Sequence, residues 1–394
     1  MVLDILQTIL IILVVVYIIY IIFSHIVTWY YFSRYDRLYQ SKMYTPPVSI
    51  IKPVKGLDEL ALHNFRSFCK QDYPNDYEVL FCVEDQDDPS IPIIKGIIKE
   101  YHDRKIRLVF SDPQDTRSFG KIKKMITGLA ESRYEVIVFS NADVHVPPTF
   151  LKETVGCVNN PKIGLAFTAT AYEGSEDWAA ACWNISNAAL VIRSTPMWLF
   201  GLLDVLDGKI MVIRKQLIAE IGGLEQFGFQ ADDGLSLGRA IRKRGYDLHL
   251  LKQPARILHL HDSFLGWCSH WHRWLVILRH YFPMASGSLS FIQLPLWWSL
   301  LYTVISLYQH ERVSIGIALI TAVLIVSLTS LVIINMKFVQ DTKMWRFMWV
   351  IPILQLSLLP LLIHSYMTNE VVWRGRRLRV NADCTFTDLG AEIT

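Results

Sequence analysis

The run LQTILIILVVVYIIYIIF, Leu6 to Phe23, is apolar apart from Gln7 and Thr8. At roughly 1.5 Å of helix per residue it can cross most of a hydrocarbon core about 30 Å thick, and only a helix satisfies its backbone there. Asp4 precedes the run, Arg34, Arg37 and Lys42 follow it, and no small-residue cleavage site closes it. A removable leader would carry its basic residues first, so residues 1–28 are expected to form an uncleaved transmembrane anchor with its carboxyl side in the cytosol.

Three further apolar segments come late: Phe291 to Tyr308, Val313 to Ile334 and Phe347 to Tyr366. If all three crossed, the tail sequence WRGRRLR (Trp373 to Arg379) would face away from the domain before them, against the bias of basic residues to the cytosol. The last segment carries Pro352 and Pro360, each expected to remove a helix hydrogen bond, so it is placed at the interface or re-entering. The favoured organisation has three spans, with four as the alternative. Residues 290–367 then hold two spans plus an interfacial or re-entrant segment, and 368–394 form a cytosolic tail.

Composition agrees: 52% of the 394 residues are hydrophobic and 19% charged, with mean hydropathy +0.28, too apolar for an ordinary soluble enzyme. A net charge of +3 without a long basic block argues against nucleic acid and leaves acidic lipid headgroups as the better partner. The six cysteines are scattered, with no CxxC pair, so neither a disulfide framework nor a structural zinc site is indicated.

Between the membrane segments, residues 47–285 read as one α/β domain. Short apolar runs (VSIIKPV, EVLFCVED, IRLVF, EVIVFSNAD) alternate with amphipathic stretches such as Leu60 to Lys70 and Ile91 to Tyr101. That alternation predicts buried parallel strands joined through helices, a doubly wound nucleotide-binding sheet. Ligands of such sheets sit beyond the carboxyl ends of the strands, where two runs end in acids, Glu84-Asp85 and Asp143.

Four polar features stand out. Asp85 in CVEDQDDPS closes a strand, where a turn or cap is the ordinary explanation. FSNADVHVPP, Phe139 to Pro148, offers Asn141 and Asp143 after a buried strand, suited to a cation against a nucleotide diphosphate or to a turn. FQADDGLSLGRAIRKRGYD opens a helix with Asp232 and Asp233 and closes it with bases, which complements the helix dipole. A helix start needs one acid, so a base or metal role is open for the other. SHWHRWLVILRH, before the membrane, could be an interfacial aromatic belt.

Together these motifs resemble family-2-type inverting glycosyltransferases, and more closely the ceramide glucosyltransferases (family 21) with their bacterial, hopanoid-associated relatives. The resemblance rests on IIKPVKGLD, QDYPNDYEVLFCVEDQDDP, GKIKKM, the NAD motif, GKIMVIRKQLIAEIGGL, ADD, HRW and WRGRRLRV, and covers nearly the whole chain. It implies a GT-A-type, Rossmann-like nucleotide-sugar domain with an N-terminal transmembrane helix and C-terminal membrane helices. The implied reaction moves one sugar, glucose favoured, from a UDP-sugar to a lipid hydroxyl, on the cytosolic face of a bacterial inner membrane or of Golgi or endoplasmic reticulum.

Such chemistry needs the diphosphate leaving group neutralised by Mg2+ or Mn2+, for which Asp143 is the candidate ligand. Inversion needs a base for the acceptor hydroxyl, Asp233 first and Asp232 next, since neighbouring carboxylates raise one another's pKa. The resemblance puts Asp85 near the uridine, and Lys52, Lys121 and Asn141 around the donor. It adds Arg273 and Trp274 from the (Q/R)xxRW motif, the arginine to offset pyrophosphate charge and the indole to wall the pocket. Gly208, His270 and Trp271 fall to the acceptor side. The chain departs from the pattern at Asn141, which replaces an acid, at His270, which replaces Gln or Arg, and in GLSLGR, one residue longer than in close relatives.

Three other functions compete. A processive polysaccharide synthase would need more spans and the missing Gln. A non-catalytic transferase-like binding protein is suggested by Asn141. Zinc chemistry at His259, His261, His270 and His272 lacks an acid-plus-histidine helix motif, and histidines near a membrane are more often structural.

Overall fold

A computed structural model describes residues 1–39, 44–112, 114–115, 118, 120–205, 207–283, 292–373 and 375–391, the side chains of 35–39 excepted. Lys42, Phe291, Arg374 and the Arg37 side chain lie outside the described residues. Two compact units divide the chain: Tyr30–Ala171 with Trp198–Leu258, and Met1–Trp29 with Tyr172–Met197 and His259–Thr394. Residues 172–197 and 259–283, within the expected domain 47–285, thus group with the membrane helices.

The first unit is built on a sheet whose strands lie in the order Lys105–Phe110, Tyr77–Val83, Val48–Pro53, Val136–Ser140, Ile210–Arg214, Ile163–Glu173 and Asp247–Leu258. Strands β1 (Val48–Pro53), β2 (Tyr77–Val83), β3 (Lys105–Phe110) and β4 (Val136–Ser140) are the four apolar runs seen in the sequence. They pair in parallel, with Ile50 opposite both Val79 and Val138. Every residue of β1, β2 and β4 is buried, as expected of parallel strands covered on both faces. Helices α2 (Ala61–Cys69), α3 (Ile91–Glu100) and α4 (Gly120–Glu131) make the crossovers. Gly128 lets α4 lie close: a Cβ there would stand 2.5 Å from Ile51 Cγ2 and 2.8 Å from Cys82 Sγ.

Beyond β4 come α5 (Phe150–Thr154), β5 (Ile163–Glu173), α6 (Trp178–Leu199), β6 (Ile210–Arg214), α7 (Lys215–Glu220), α8 (Asp233–Lys243) and β7 (Asp247–Leu258). Here the sheet turns antiparallel, β6 against β4 with Ser140 opposite Ile210, and β5 against β6. The order reverses between β1 and β4. That reversal opens the crevice where open α/β sheets take ligands.

The part of the first helix, α1 (Val2–Tyr39), that belongs to the second unit places Leu10 against Tyr302 and Ile305, and Val14 against Leu296 and Val323. Polar pairs run along the same seam: Gln7 to Ser306 at 2.9 Å, Tyr17 to Ser327 at 3.1 Å and His25 to Ser330 at 2.7 Å. Among the described residues three helical runs are long and apolar enough to cross a membrane: Val2–Arg34, Val313–Val339 and Met344–Met367. The helix Pro295–Gln309 has 15 residues. Of the two prolines, Pro352 occupies the first α-helical turn of Ile351–Met367, directly after the 3-10 turn Met344–Val350, and Pro360 lies inside the helix.

The tail forms a three-stranded antiparallel sheet of β8 (Glu370–Trp373), β9 (Arg376–Val380) and β10 (Phe386–Ala391). Glu370 takes both Arg377 at 2.6 Å and Arg379 at 3.0 Å, so part of the basic cluster is neutralised within the tail.

Candidate active site

Lys52, expected among the groups lining the donor, is fully buried on β1. Its Nζ donates to the Asn141 carbonyl at 2.8 Å and to Ser140 Oγ at 3.1 Å, and lies 3.8 Å from the centre of the Phe68 ring. Burial pulls its pKa from 10.5 to about 7, against the opposing charge of Asp143. So enclosed, Lys52 ties the end of β1 to the end of β4 across the reversal point. It shapes the backbone of the Asn141–Asp143 loop from beneath.

The β4–β6 ladder runs one residue past the strands, with the Asn141 N–H donating to the Lys209 carbonyl at 2.9 Å. From there Lys209 Nζ reaches Asp143 Oδ2 at 3.1 Å. Asn141 Oδ1 is buried without a hydrogen-bond partner among the described residues. One carboxylate and one spare amide oxygen suit Mg2+ or Mn2+, which take few protein ligands and complete their shell with phosphate and water oxygens. Among the described residues no three His, Cys, Asp or Glu side chains gather to hold an ion alone. Next to Lys209, Asp207 accepts from Thr170 Oγ1 at 2.5 Å, and burial raises its pKa while Lys209 opposes the rise.

The ADD pair divides. Asp232 is the N-cap of α8, its Oδ1 accepting from the Leu235 N–H at 2.6 Å. Shielding from water and then the charge of Asp233 raise its pKa to about 7. Asp233 turns instead to Lys121, Oδ2 to Nζ 2.6 Å, with the two side chains 19% and 22% exposed. Lys121 comes from the first turn of α4 and also lies 3.5 Å from the Gly208 carbonyl. Gly208 and Gly234 meet backbone to backbone: a Cβ on Gly208 would stand 3.0 Å from Gly234 Cα, and one on Gly234 2.9 Å from Gly208 Cα. At the far end of α8, Arg239 and Arg242 both reach Asp204 at 3.3 Å, so those bases serve the fold.

Asp85 is exposed after β2, its Oδ1 accepting from the Asp87 N–H at 2.9 Å. Its neighbour Asp88 does the structural work of that turn, accepting from the Gly56 N–H at 2.8 Å, the Ser90 N–H at 2.9 Å and the Ser90 hydroxyl at 2.6 Å. Burial alone would raise the Asp88 pKa, but these donors outweigh it and hold the carboxyl below its ordinary range. The bond to Gly56, at φ +72°, joins KPVKG to VEDQDDP.

Lys52, Asp85, Lys121, Asn141, Asp143, Gly208, Asp232 and Asp233 therefore share the sheet unit. The residues of HRW lie in the other unit, on α9 (Phe264–Tyr281). There His270 packs on Trp183 with ring centres 3.7 Å apart, and its Nδ1 lies 3.0 Å from the Arg273 guanidinium. Arg273 also lies 5.7 Å from the centre of the Trp373 ring. Trp274 stands edge-on to His270 at 6.3 Å. The Ser186 hydroxyl accepts from both Trp267 and Trp271, at 3.1 and 3.0 Å. His259 pairs with Asp262 and His261 with Asp177, each at 3.2 Å, so these histidines have separate acid partners. Lys209 and Asp88 escaped the sequence reading, although GKIMVIRKQ and VEDQDDP contain them.

Comparison with known proteins fits this geometry. The profile of Glycosyl transferase family 21 matches residues 9–385. Ceramide glucosyltransferase 1 of Caenorhabditis elegans is 23% identical over 214 residues, 53% of this chain and 45% of that protein. The ceramide glucosyltransferase of Candida albicans is 32% identical over 123 residues, 28% of this chain and 22% of that protein. The chain thus spans less than half the length of these curated relatives. Among solved structures, a mannosyltransferase of Pyrobaculum calidifontis in complex with GDP-Man and Mn2+ superposes with TM-score 0.53 at 15% identity, covering 92% of this chain and 99% of that one. The sheet is of the GT-A glycosyltransferase kind, apolar helices fit to span a membrane come before and after it in the sequence, and the chain belongs to glycosyl transferase family 21.

Proposed function

We propose that this membrane glycosyltransferase moves a single glucose from UDP-glucose to the primary hydroxyl of a ceramide-like lipid, with inversion. One observation carries the reading: of two adjacent acids, Asp232 is spent on capping α8, while Asp233 is left partly exposed beside Lys121. Asp233 removes the proton of the acceptor hydroxyl as that oxygen attacks the anomeric carbon and the bond to UDP breaks. Lys121 holds Asp233 in place and adds positive charge near the departing diphosphate. Asn141 and Asp143 would hold Mg2+ or Mn2+, which when bound neutralises the diphosphate. Asp85 sits by the uridine, Arg273 and Trp274 serve the donor, and Gly208, His270 and Trp271 the acceptor.

The membrane arrangement proposed has Val2–Arg34, the helix opening at Pro295 and Val313–Ile334 crossing, with Ile351–Met367 at the cytosolic interface. Contacts along α1 support it: Gln7 meets Ser306 and Val14 meets Leu296, while Val14, Tyr17 and His25 meet Val323, Ser327 and Ser330 in order. The two later helices therefore flank α1 as an antiparallel hairpin. Ile351–Met367 is held at both ends near extramembrane segments. Ahead of it Asp341 accepts from the Gly174 N–H at 2.9 Å, and in its last turn the His364 ring lies tilted against His272 of α9 with ring centres 4.4 Å apart.

The test is incubation of membranes carrying the protein with labelled UDP-glucose, UDP-N-acetylglucosamine or GDP-mannose, a total lipid extract and Mg2+ or Mn2+. A glucose-labelled lipid carrying one sugar is expected. Polymeric label would indicate a synthase, and bound but unconsumed donor a binding protein.

A further inference from the structure

We propose that Lys209 makes divalent-cation binding conditional on nucleotide binding, an inference that rests on the nucleotide-sugar reading above. The Lys209 ammonium lies 3.1 Å from Asp143 Oδ2, with the two side chains 20% and 35% exposed. Asn141, the other oxygen donor of the loop, is neutral and has its Oδ1 buried without a hydrogen-bond partner among the described residues. Asp143 faces Lys209 and also the charge of Lys52, Lys209 also faces Asp207, whose carboxyl is pushed toward its neutral form by burial, and Asp233 is matched by Lys121 at 2.6 Å. A free dication approaching this loop meets a neutralised carboxylate and an ammonium that repels it. A nucleoside diphosphate reverses the situation by bringing anionic oxygens of its own.

A lysine suits this exchange, because its ammonium is a point charge on a flexible stem that needs no fixed bidentate geometry. The backbone of Lys209 stays fixed, since its carbonyl accepts from Asn141 at 2.9 Å. Only the stem has to swing from Asp143 to the diphosphate. That movement frees the carboxylate at the moment when phosphate oxygens arrive to complete the cation's shell. The cation and the nucleotide then enter as a pair.

Mn2+ binding, read from the paramagnetic resonance signal of the free ion, tests this on the full chain in lipid nanodiscs, with and without UDP. For the native chain UDP is expected to tighten Mn2+ binding about tenfold, within the usual range of coupling between sites. Lys209→Met is expected to bind Mn2+ alone severalfold more tightly than the native chain, with UDP adding less than about threefold. Lys209→Arg keeps the charge and is expected to keep most of the coupling, which separates lost charge from lost folding. Native Mn2+ binding indifferent to UDP, or native-like coupling in Lys209→Met, overturns the proposal while leaving the nucleotide-sugar reading intact. Failure of the native chain to bind UDP at all overturns both.

Discussion

Replacing Lys52 by methionine tests whether a buried ammonium organises the donor loop. Its pKa of about 7 against an ordinary 10.5 means that holding the charge inside the fold costs ~5 kcal/mol relative to water. The sign follows from proton counting. Below pH 7 Lys52 is protonated both folded and unfolded, so it contributes no pH dependence. Between pH 7 and 10.5 the folded chain has released the proton that the unfolded chain keeps, and stability rises with pH by ~1.4 kcal/mol per unit. From pH 7 to pH 9 the native chain should therefore gain ~2–3 kcal/mol over Lys52→Met, or about 5–10 °C in Tm for a domain of about 200 residues.

Thermal unfolding in nanodiscs, followed by tryptophan fluorescence at pH 6, 7, 8 and 9, reads that difference directly. Below pH 7 Lys52→Met should melt no lower than the native chain, because an apolar side chain beside Phe68 replaces a costly buried charge. Transfer should nevertheless fall at least about tenfold, since the Asn141 carbonyl loses the ammonium that fixes the loop. Melting curves for the two proteins that stay parallel from pH 6 to pH 9 would refute the reasoning.

Asp233→Asn should lower transfer about 1,000-fold with UDP affinity unchanged within about threefold, whereas Asp232→Asn should keep the fold, because Asn caps helices as well as Asp. Retained turnover in Asp233→Asn moves the base to Asp232. Gly208→Ala puts a methyl 3.0 Å from Gly234 Cα, and separating those backbones should cost about tenfold or more in kcat. Steady-state kinetics with soluble short-chain lipid would show it. Asp88→Asn should destabilise by ~1–3 kcal/mol at pH 7. Because the Asp88 pKa is lowered in the fold, that stabilisation exists above the unfolded pKa and fades with acid, so the melting gap should close below about pH 4.

What could be read beforehand and what could not follow from the range of each interaction. Runs such as VSIIKP and YEVLFCV are buried on both faces, which leaves an uninterrupted apolar signature, and β1 to β4 were legible for that reason. The ADD pair was legible because helix starts have local rules, although those rules could not say that Asp232 caps while Asp233 meets Lys121, 112 residues away. The burial of Lys52 was not legible, because nothing local in KPVKG announces that the Phe68 ring packs over its ammonium. Lys209 was invisible, since its bond to Asp143 spans 66 residues and depends on the antiparallel return of β6, which no periodicity announces. The grouping of residues 172–197 with the membrane helices was hidden likewise, because α6 is apolar enough to pass for the interior of either unit.

The contact between Gly208 and Gly234 separates two properties that proteins usually vary together. The gap between the loop carrying Lys209 and the helix carrying Asp233 is set there by bare backbone, with no rotamer able to widen or narrow it. Substitutions at Lys121, Lys209 or Asn141 can retune the charge of the site while its dimensions stay the same. A single methyl at either glycine does the reverse, changing the spacing with every charge left in place.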